Sequence, residues 1–386
     1  MTYRPFAKKD FVVRAGYGLY YNIFTGNRGA SEVNVPTWTV YGQTFGTGTL
    51  QDWETVWAGT LAAPNSFDVY SPLVDIKPTR TAQWNVSVQT AMPLKTVLTV
   101  SYVGTRVPNE IAGIENNIPT VGFHADLQAD RPYPRFGIVH TIANLGENWY
   151  HGLQTKAERR FDNGLAFTFS YSFSRTMADN LPDDEFSALL AYSPDSYNRH
   201  RAAFDFRHIQ SATVVWEVPY GRSRRWGSSV NGVVNKILGG WQLSAYETAH
   251  SGQPLSIFNN NGNLGNGQQS RADLVGDPRI SNPSKNAWFN TAAYAPAAQF
   301  TFGNSGVGDV EGPGFFQINS GLSKNFHVSE NKYFQFRWET YNLFNNVNYI
   351  IRSGGSTLNV NDTANFGKIF EAESARTMQF GLRFLF

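Results

Sequence analysis

The densest group of chemically active side chains in this sequence lies between positions 200 and 208. It contains two histidines, two arginines and one aspartate, namely His200, Arg201, Asp205, Arg207 and His208. Such side chains could line the path of a bound substrate. They could also form a hydrogen-bonded network where a strand begins, because charged groups in a shared network stabilise one another. The sequence favours this second interpretation, and we call the five residues the rim network.

Two other groups could bind ligands, but each has a simpler interpretation. The acidic run of Asp183, Asp184 and Glu185 could hold Ca²⁺ together with loop carbonyls, although a solvated loop explains it as well. Five aromatic residues in non-periodic segments could stack on sugars or other rings, or could pack the segments that carry them. They are Trp38, Trp53, Trp57, Tyr70 and Trp288. Neither group identifies a ligand.

The sequence lacks the motifs of common enzyme classes. Its seven histidines form no HExxH motif, and no GxSxG motif occurs. The segment Gly306–Glu311 lacks the third glycine of a dinucleotide-binding fingerprint. Cysteine is absent, which excludes disulfides and thiolate metal sites. We therefore predict no enzymatic activity, no cofactor and no bound metal.

Composition narrows the class of protein further. Aromatic residues make up 15% of the chain and charged residues 16%, against roughly 25% charged residues in an average soluble domain. The net charge of +2 gives no electrostatic footprint for nucleic acid, and the basic cluster Arg222–Arg225 predicts a solvated turn. A mean hydropathy of −0.35, without any long apolar run, argues against helical membrane spans. Membrane-spanning strands escape that criterion, because only alternate residues meet lipid.

The elements that would position these residues are strands, and the last one has the clearest pattern. From Met378 to Phe386 every second residue is apolar, so one face of an extended strand is apolar up to the carboxylate. Lipid would cover this face, and so would the core of a soluble β-sandwich. We predict the closing strand of a membrane barrel. Its C-terminal insertion signal would be Phe380, Leu382, Phe384 and Phe386.

The same alternation recurs in roughly ten segments. The clearest runs from Leu165 to Phe173, where large apolar side chains alternate with small or hydroxyl-bearing ones. Hydroxyl groups suit a crowded polar lumen, whereas a soluble sandwich normally turns charges outward. The predicted lumen-facing residues are Arg14, Gln83, Arg337, Glu339 and Arg383.

Short and long connections alternate along the chain. Short ones follow the segments that end near Ala91, Phe161, Val218 and Phe326, and long ones lie between them. Outer-membrane barrels have this asymmetry, with short turns on the periplasmic side and long loops outside. The sequence therefore predicts an all-β fold, an antiparallel transmembrane β-barrel that is partial and has roughly ten strands. Its loops would be extracellular, its short turns periplasmic and its C-terminus periplasmic.

A series of short motifs also occurs in a fixed order along the chain. They are Asn148–Gln154, Arg159–Phe161, Asn163–Leu165, Phe204–His208, Gly240–Leu243, Ser251–Pro254, Trp288–Thr291, Gly312–Gly314 and Phe336–Asn345. Together these motifs resemble the barrel of TonB-dependent outer-membrane receptors of the Oar-like type. The resemblance covers most of the chain.

The resemblance implies a receptor that binds a scarce or bulky solute and imports it when the TonB complex displaces a plug. In that family a signal sequence, a plug and a TonB-contacting segment precede the barrel, and residues 1–10 do not resemble a signal. Residues 1–386 are therefore expected to be the C-terminal part of the barrel, without signal peptide, plug or TonB box. The expected partners are outer-membrane lipid, the barrel-assembly machinery, an unknown solute and the TonB complex through a plug outside this chain.

Two alternative functions remain open at this point. A non-transporting surface protein, such as an adhesin or a passive pore, could use the same barrel. A secreted sugar-binding β-protein would instead be soluble without detergent.

Overall fold

Ten long strands follow one another along the chain. The computed structural model describes residues 1–5, 10–22, 67–72, 75–134, 136–179, 188–189, 192, 199–329, 332–352 and 354–386. The strands are β1 (Phe11–Asn22), β2 (Thr79–Met92), β3 (Thr96–Glu115), β4 (Phe136–Asp162), β5 (Leu165–Ala178), β6 (His208–Glu217), β7 (Trp241–His250), β8 (Phe315–Ser329), β9 (Lys332–Tyr341) and β10 (Thr377–Leu385).

Shorter elements occupy the connections between these strands. Within the described residues an α-helix, α1, spans Gly232–Leu238, and 3₁₀ turns span Thr291–Ala293 and Ser356–Leu358. Short strands are Thr2–Tyr3, Phe67–Pro72, Ala188–Leu189, His200–Arg201, Pro254–Leu255, Phe258–Asn259, Ser270–Arg271, Asp273–Leu274, Tyr294–Ala295, Val310–Glu311, Tyr349–Ile350 and Glu371–Ala372. In the described parts of the chain, no helix is long and apolar enough to cross a bilayer.

The ten strands form one antiparallel wall in which each strand pairs with its neighbours in sequence. Residues Thr2–Tyr3 extend the edge beside β1, and β10 forms the opposite edge. Within the described ranges these two edges do not pair with each other, so the wall is an incomplete barrel. The predicted all-β, antiparallel and partial barrel of about ten strands is confirmed.

Strand pairing carries the predicted alternation across the wall, because residues opposite each other in an antiparallel pair share a face. Ser170 of β5 lies opposite Ser211 of β6 on the polar face. Phe169 lies opposite Ala212 on the apolar face. Phe380 in β10 is 70% exposed, and therefore no second sheet covers the apolar face at this edge.

The short connections lie at one end of the wall, which we call the short-turn end. There, residues 93–95 and 163–164 separate consecutive strands, β8 ends at Ser329 and β9 begins at Lys332. Asn163 and Gly164 both have positive φ, 50° and 78°, as a type I′ hairpin requires, and the short connection predicted after Phe161 is confirmed. The connection after Val218 was predicted to be short, but it comprises residues 218–240 and contains a helix at this same end. The loops 251–314 and 342–376 lie at the opposite end, the long-loop end.

Two strands are longer than the sequence predicts. The sequence from Gly104 to Glu147 is polar and shows no alternation, which predicts a loop, but β3 and β4 contain 20 and 27 residues and occupy much of it. The buried Asn117 amide holds the turn between them by donating to the carbonyls of Phe136 and Gly137. A tilted strand crosses the hydrocarbon with about 9 to 11 residues, so we infer that the rest of β3 and β4 lies beyond it, where water satisfies either face. The apolar periodicity that reveals a membrane strand is therefore absent from them.

The largest hydrophobic core of the described chain lies in the long loops. Two connections that show no periodicity in the sequence, residues 251–314 and 342–376, pack against each other at the long-loop end. The buried members of this core are Leu255, Ile257, Ala272, Phe289, Ala293, Tyr294, Val310, Ile351, Leu358, Val360 and Ile369. Apolar burial thus makes the loops a defined structure that rests on the wall.

Arginine substitutions on the two faces of β5 should distinguish lipid-facing from lumen-facing positions. Phe169 lies four residues into β5, about 13 Å along the strand, and faces the apolar side. Phe169→Arg should weaken folding into vesicles by about 2 to 4 kcal/mol, because the guanidinium would enter hydrocarbon. Ser170→Arg should cost much less. Urea titrations in lipid vesicles measure both, and equal losses would refute the assignment of the faces.

A second pair of positions tests the same assignment on β9. Phe336 faces the apolar side and lies opposite Lys324, whereas Gln335 lies opposite Asn325 on the polar side. We expect Phe336→Arg to be about as harmful as Phe169→Arg, because each phenylalanine lies four residues from the start of its strand at the short-turn end. Gln335→Arg should remain close to the unmodified protein in the same titration.

Candidate functional site

A cleft of about 630 Å³ opens at the long-loop end of the wall. Its sides come from the end of β5, the segment Arg199–Arg201, Arg271 and the loop of residues 302–309. Within the described ranges, four arginines line the cleft together with one carboxylate, that of Asp309. They are Arg175, Arg199, Arg201 and Arg271. A cleft of this size and composition suits a small molecule with negative charge.

The chain enters β6 through a distorted pairing with β5. The Ala202 N–H donates to the Thr176 carbonyl over 3.1 Å, which continues the ladder beyond the start of β6. The next donor, the Thr176 N–H, is bonded by a side chain instead, the Asp205 carboxylate, at 2.7 Å. Asp205 is buried and takes the place of a backbone acceptor, which fixes the segment from 200 to 207 against the wall.

Arg201 connects this segment to the loop core. Its Nε donates to Asp205 Oδ2 at 2.7 Å, and its Nη1 donates to Glu311 Oε1 at 2.8 Å. Burial acts to lower the pKa of the guanidinium, but hydrogen bonds to the two carboxylates outweigh it and raise the pKa. The side chain is therefore a permanent cation held in one position beside the cleft.

His200 is buried next to Arg201 and is neutral at neutral pH. Burial lowers the pKa of the imidazole, Arg271 lowers it further, and the hydrogen bond to the Arg201 carbonyl only partly opposes them. Its Nδ1 donates to that carbonyl over 2.8 Å. The positive charge of the cleft consequently comes from the arginines at neutral pH.

Arg199 forms the exposed rim of the cleft. Its guanidinium lies 3.4 Å from an oxygen of Asp179, 3.8 Å from one of Glu147 and 4.6 Å from the centre of the Trp149 ring. An ion pair with two carboxylates and a stacked indole holds the planar group in place while its edge remains accessible. The same Glu147 also binds Arg106 at 2.6 Å.

The loop at the opposite side of the cleft depends on glycine. A Cβ at Gly303 would lie 2.0 Å from the Arg271 carbonyl, so no other residue allows this approach of the two chains. Gly308 has a φ of +93° and lies against Pro254 and Arg201. The Gly306 N–H donates to Asp309 at 2.6 Å and closes the turn between them. The loop thus lies close to the arginines through backbone contacts.

The structure brings together part of the predicted rim network. His200, Arg201 and Asp205 are buried; His200 and Arg201 line the cleft, and Asp205 contacts Arg201 from behind it. Arg207 lies 5.7 Å from the Phe173 ring centre, and His208 Nδ1 lies 2.8 Å from the Tyr171 hydroxyl. These last two residues therefore contact aromatic side chains of β5 and do not line the cleft.

The five predicted lumen-facing residues all lie on the polar face of the wall. Arg14 donates to Gln89 at 2.9 Å, and Arg337 is hydrogen-bonded to Glu339. Gln83 lies opposite Gly18 and Thr105, and Arg383 lies opposite Gln335. None of the five lines the cleft at the long-loop end.

Other side chains of the cleft carry little signal in the sequence. Arg199 adjoins the rim network, but Arg175, Arg271 and Asp309 come from distant segments that only folding brings together. The indole of Trp288 donates to the Glu311 carbonyl at 2.9 Å and packs against the loop core. Asp183, Asp184, Glu185, Trp38, Trp53 and Trp57 lie outside the described residues, as does the side chain of Tyr70. No cluster that could hold a metal occurs in the described ranges.

Comparison with known families agrees with this architecture. Residues 1–379 match the family model described as "Outer membrane beta barrel domain". The chain belongs to this outer membrane beta-barrel family. Membership places the barrel in the outer membrane, where the apolar face of the wall meets lipid. No curated protein matches the sequence.

Solved barrels with a similar fold are receptors and transporters. The chain is similar to the outer membrane transporter YddB from Escherichia coli, with 11% identity and a TM-score of 0.51 over 100% of this chain and 40% of that one. The ferric-catecholate import receptor Fiu from E. coli K12 has 12% identity and a TM-score of 0.42, over 100% and 34% of the two chains. The siderophore receptor PiuA from Acinetobacter baumannii has 9% identity and a TM-score of 0.46, over 100% and 35%.

The likeness to YddB establishes the fold alone, because the identity is only 11%. It confirms the resemblance of this barrel to outer-membrane receptors and transporters that the sequence motifs indicated. The barrel described here spans 40% of the length of YddB.

Removing the Asp205 carboxylate should destabilise the long-loop end of this barrel. Asp205→Ala leaves the buried Arg201 guanidinium with one fewer partner and the Thr176 N–H without its acceptor. We expect a loss of about 3 kcal/mol or more in unfolding free energy, as for other broken buried ion pairs. The control is Glu311→Gln, at the more exposed partner of Arg201, which should cost less than about 1 kcal/mol. Similar losses for both variants would contradict the role given to Asp205.

Acid should destabilise the protein through His200. Because burial lowers its folded-state pKa, the unfolded chain binds a proton first as the pH falls through about 6.5, and stability decreases. His200→Asn should reduce this loss between about pH 7.5 and 5.5 in urea unfolding. The control His124→Asn should not, since hydrogen bonds to Thr120 and Asp130 raise the pKa of His124. The contribution of His124 is present in acid and is lost as the pH rises.

Proposed function

We propose that this chain is the C-terminal part of a TonB-dependent outer-membrane receptor and that it takes part in binding and importing an anionic solute. The observation that carries the proposal is the arginine-lined cleft at the long-loop end. A cleft of about 630 Å³ holds a molecule of drug-like size, which is consistent with the bulky solute that the resemblance implies.

The charge of the cleft supports an anionic ligand. Arg199 and Arg201 are held by carboxylates on their outer sides, while Arg175 and Arg271 add positive charge from the wall and from the loop core. Guanidinium groups bind carboxylate, phosphate or similar oxyanions through paired N–H donors. Since burial keeps His200 neutral, its titration should not change the binding of an anion between pH 7 and pH 8.

The open wall supports assignment to a larger barrel. Unpaired strand edges are unfavourable in hydrocarbon, because no water satisfies their N–H and C=O groups. Further strands beside β1 and β10 would satisfy these groups, and the chain spans only 40% of the similar transporter. In this proposal the long loops are extracellular, the short turns and the C-terminus are periplasmic, and a plug outside this chain contacts TonB. The barrel-assembly machinery would recognise the terminal strand with Phe384 and Phe386.

Ligand charge can be tested with citrate and its neutral trimethyl ester. We expect citrate, but not the ester, to raise the melting temperature of the folded protein in detergent, because only the former has carboxylates for the arginines. The double variant Arg175→Gln with Arg271→Gln should lose this response. Lys285→Gln, which removes an exposed cation of the same loops outside the cleft, should keep it. Equal responses to citrate and ester would exclude an anion site.

The energy dependence of solute uptake distinguishes active import from the alternative functions, an adhesin or a passive pore. If the intact protein is a TonB-dependent receptor, its uptake of a bound solute should stop when an uncoupler collapses the proton gradient. A passive pore would continue to equilibrate the solute, and an adhesin would transport none. Uptake that is unchanged by the uncoupler would therefore contradict active import.

A further inference from the structure

The connection between β6 and β7 differs from the other connections at the short-turn end. It comprises residues 218–240, whereas only residues 163–164 join β4 to β5 and only residues 93–95 join β2 to β3. It also contains α1, which is the only α-helix in the described parts of the chain. A barrel does not need such a connection to reverse direction, and so its residues call for another explanation.

Hydrogen bonds give this connection a defined shape. The Asn231 side chain caps α1 by accepting from the Val234 N–H at 2.9 Å. The Asn235 side chain accepts from the Arg222 N–H at 2.8 Å, which ties the basic turn to the helix. The Arg222 Nε donates to the Val230 carbonyl at 3.1 Å. The turn and the helix therefore form one unit.

Two side chains of the wall fasten the helix to the apolar face. Lys324 Nζ donates to the carbonyls of Lys236 and Ile237 at 2.6 and 2.9 Å, and Trp241 Nε1 donates to the Ile237 carbonyl at 2.9 Å. Lys324 and Trp241 lie opposite each other, on the same face as Phe336. The end of α1 thus lies at the lipid-facing surface, at the level of the short turns.

The helix presents apolar side chains outward. Val233 is 68% exposed, Ile237 58% and Leu238 50%, and no residue of α1 is buried. Trp226 is 48% exposed and meets Trp216 edge-on with ring centres 6.4 Å apart. Apolar helix residues beside exposed indoles are typical of segments that lie in the membrane interface.

The same connection is strongly basic. Residues 218–240 contain Arg222, Arg224, Arg225 and Lys236 and no aspartate or glutamate, although the whole chain is nearly neutral. The four basic side chains are exposed or partly exposed, and only Arg224 has an acidic neighbour, Glu217 at 3.5 Å, among the ion pairs of the described chain. Basic groups beside an apolar interfacial helix attract anionic lipid headgroups.

We propose that residues 219–240 are a docking surface for anionic phospholipids in the leaflet at the short-turn end. Val233, Ile237 and Leu238 enter the boundary between headgroups and acyl chains, and Trp226 lies at headgroup level. Arg224 and Arg225 bind the phosphates of the surrounding lipids. Lys324 and Trp241 hold the helix at the depth that this contact requires.

The experiment uses a fluorescent probe on the helix, since the natural chain has no cysteine. Val233→Cys carries the probe in the folded protein, reconstituted in vesicles of phosphatidylcholine and phosphatidylglycerol at equal mole fractions. In each of two samples a different one of the lipids has brominated acyl chains, which quench the fluorescence of the probe on contact. We expect brominated phosphatidylglycerol to quench about threefold more than brominated phosphatidylcholine, because cations near the surface enrich anionic lipid.

Matched variants make the result specific. The preference should disappear in Arg224→Gln with Arg225→Gln and persist in Lys95→Gln with Arg160→Gln, which removes two cations elsewhere at the short-turn end. A probe at Lys332→Cys, at the start of β9, should show equal quenching by both lipids. Equal quenching at position 233 in the unmodified background would overturn the anionic-lipid preference. Absence of quenching by either lipid would overturn the membrane contact of the helix itself.

Discussion

Backbone hydrogen bonding in hydrocarbon is the constraint on which this structure depends. A membrane-spanning chain has no water for its N–H and C=O groups, so every strand must pair with neighbours along its whole membrane segment. Pairing in a pleated sheet then fixes the side chains, since successive residues point to opposite faces. The apolar face with Phe169 and Phe380 and the polar face with Arg14 and Arg383 then follow from this alternation, because one face meets lipid and the other meets water.

The constraint ends where the membrane ends, and the architecture changes there. At the long-loop end, β3 and β4 continue without apolar alternation, and two long connections bury their own core around Ile257 and Leu358. This core supports the loop of residues 302–309, whose glycines allow it to approach Arg201 and Arg271. At the short-turn end, α1 is fastened to the wall by Lys324 and Trp241. The regular wall therefore separates two ends with different surfaces.

The sequence predicts the wall well because the membrane imposes a local and repeated pattern. The type I′ turn at Asn163–Gly164 and the ten-strand count can be obtained from alternation and turn chemistry alone. The extensions of β3 and β4 escape prediction because water relaxes the pattern. Helix α1 is not predicted either, because seven residues are too few to show a helical period. Contacts with Lys324 and Trp241 hold it in place.

The cleft could be predicted only where its residues are neighbours in sequence. His200, Arg201 and Asp205 lie within one short segment, and their types suggested a network. Arg175 and Arg271 lie on β5 and in the loop core, nearly a hundred residues apart, and nothing local connects them. Their approach depends on packing of the long loops, which has no repeating signature. The position of the cleft therefore cannot be predicted without the fold, whereas part of its positive charge can be predicted from the sequence.

Contact of alternate side chains with hydrocarbon is the central claim, and spin-label accessibility along β5 tests it most directly. Single cysteines from Leu165 to Phe173 can be labelled one at a time in the reconstituted protein, because the chain has no native cysteine. The account predicts that collisions with oxygen, which concentrates in the bilayer, peak at Phe167, Phe169 and Tyr171. Collisions with a water-soluble nickel chelate should peak at Thr168, Ser170 and Ser172. Equal access of both reagents to the two sets of positions would contradict the account.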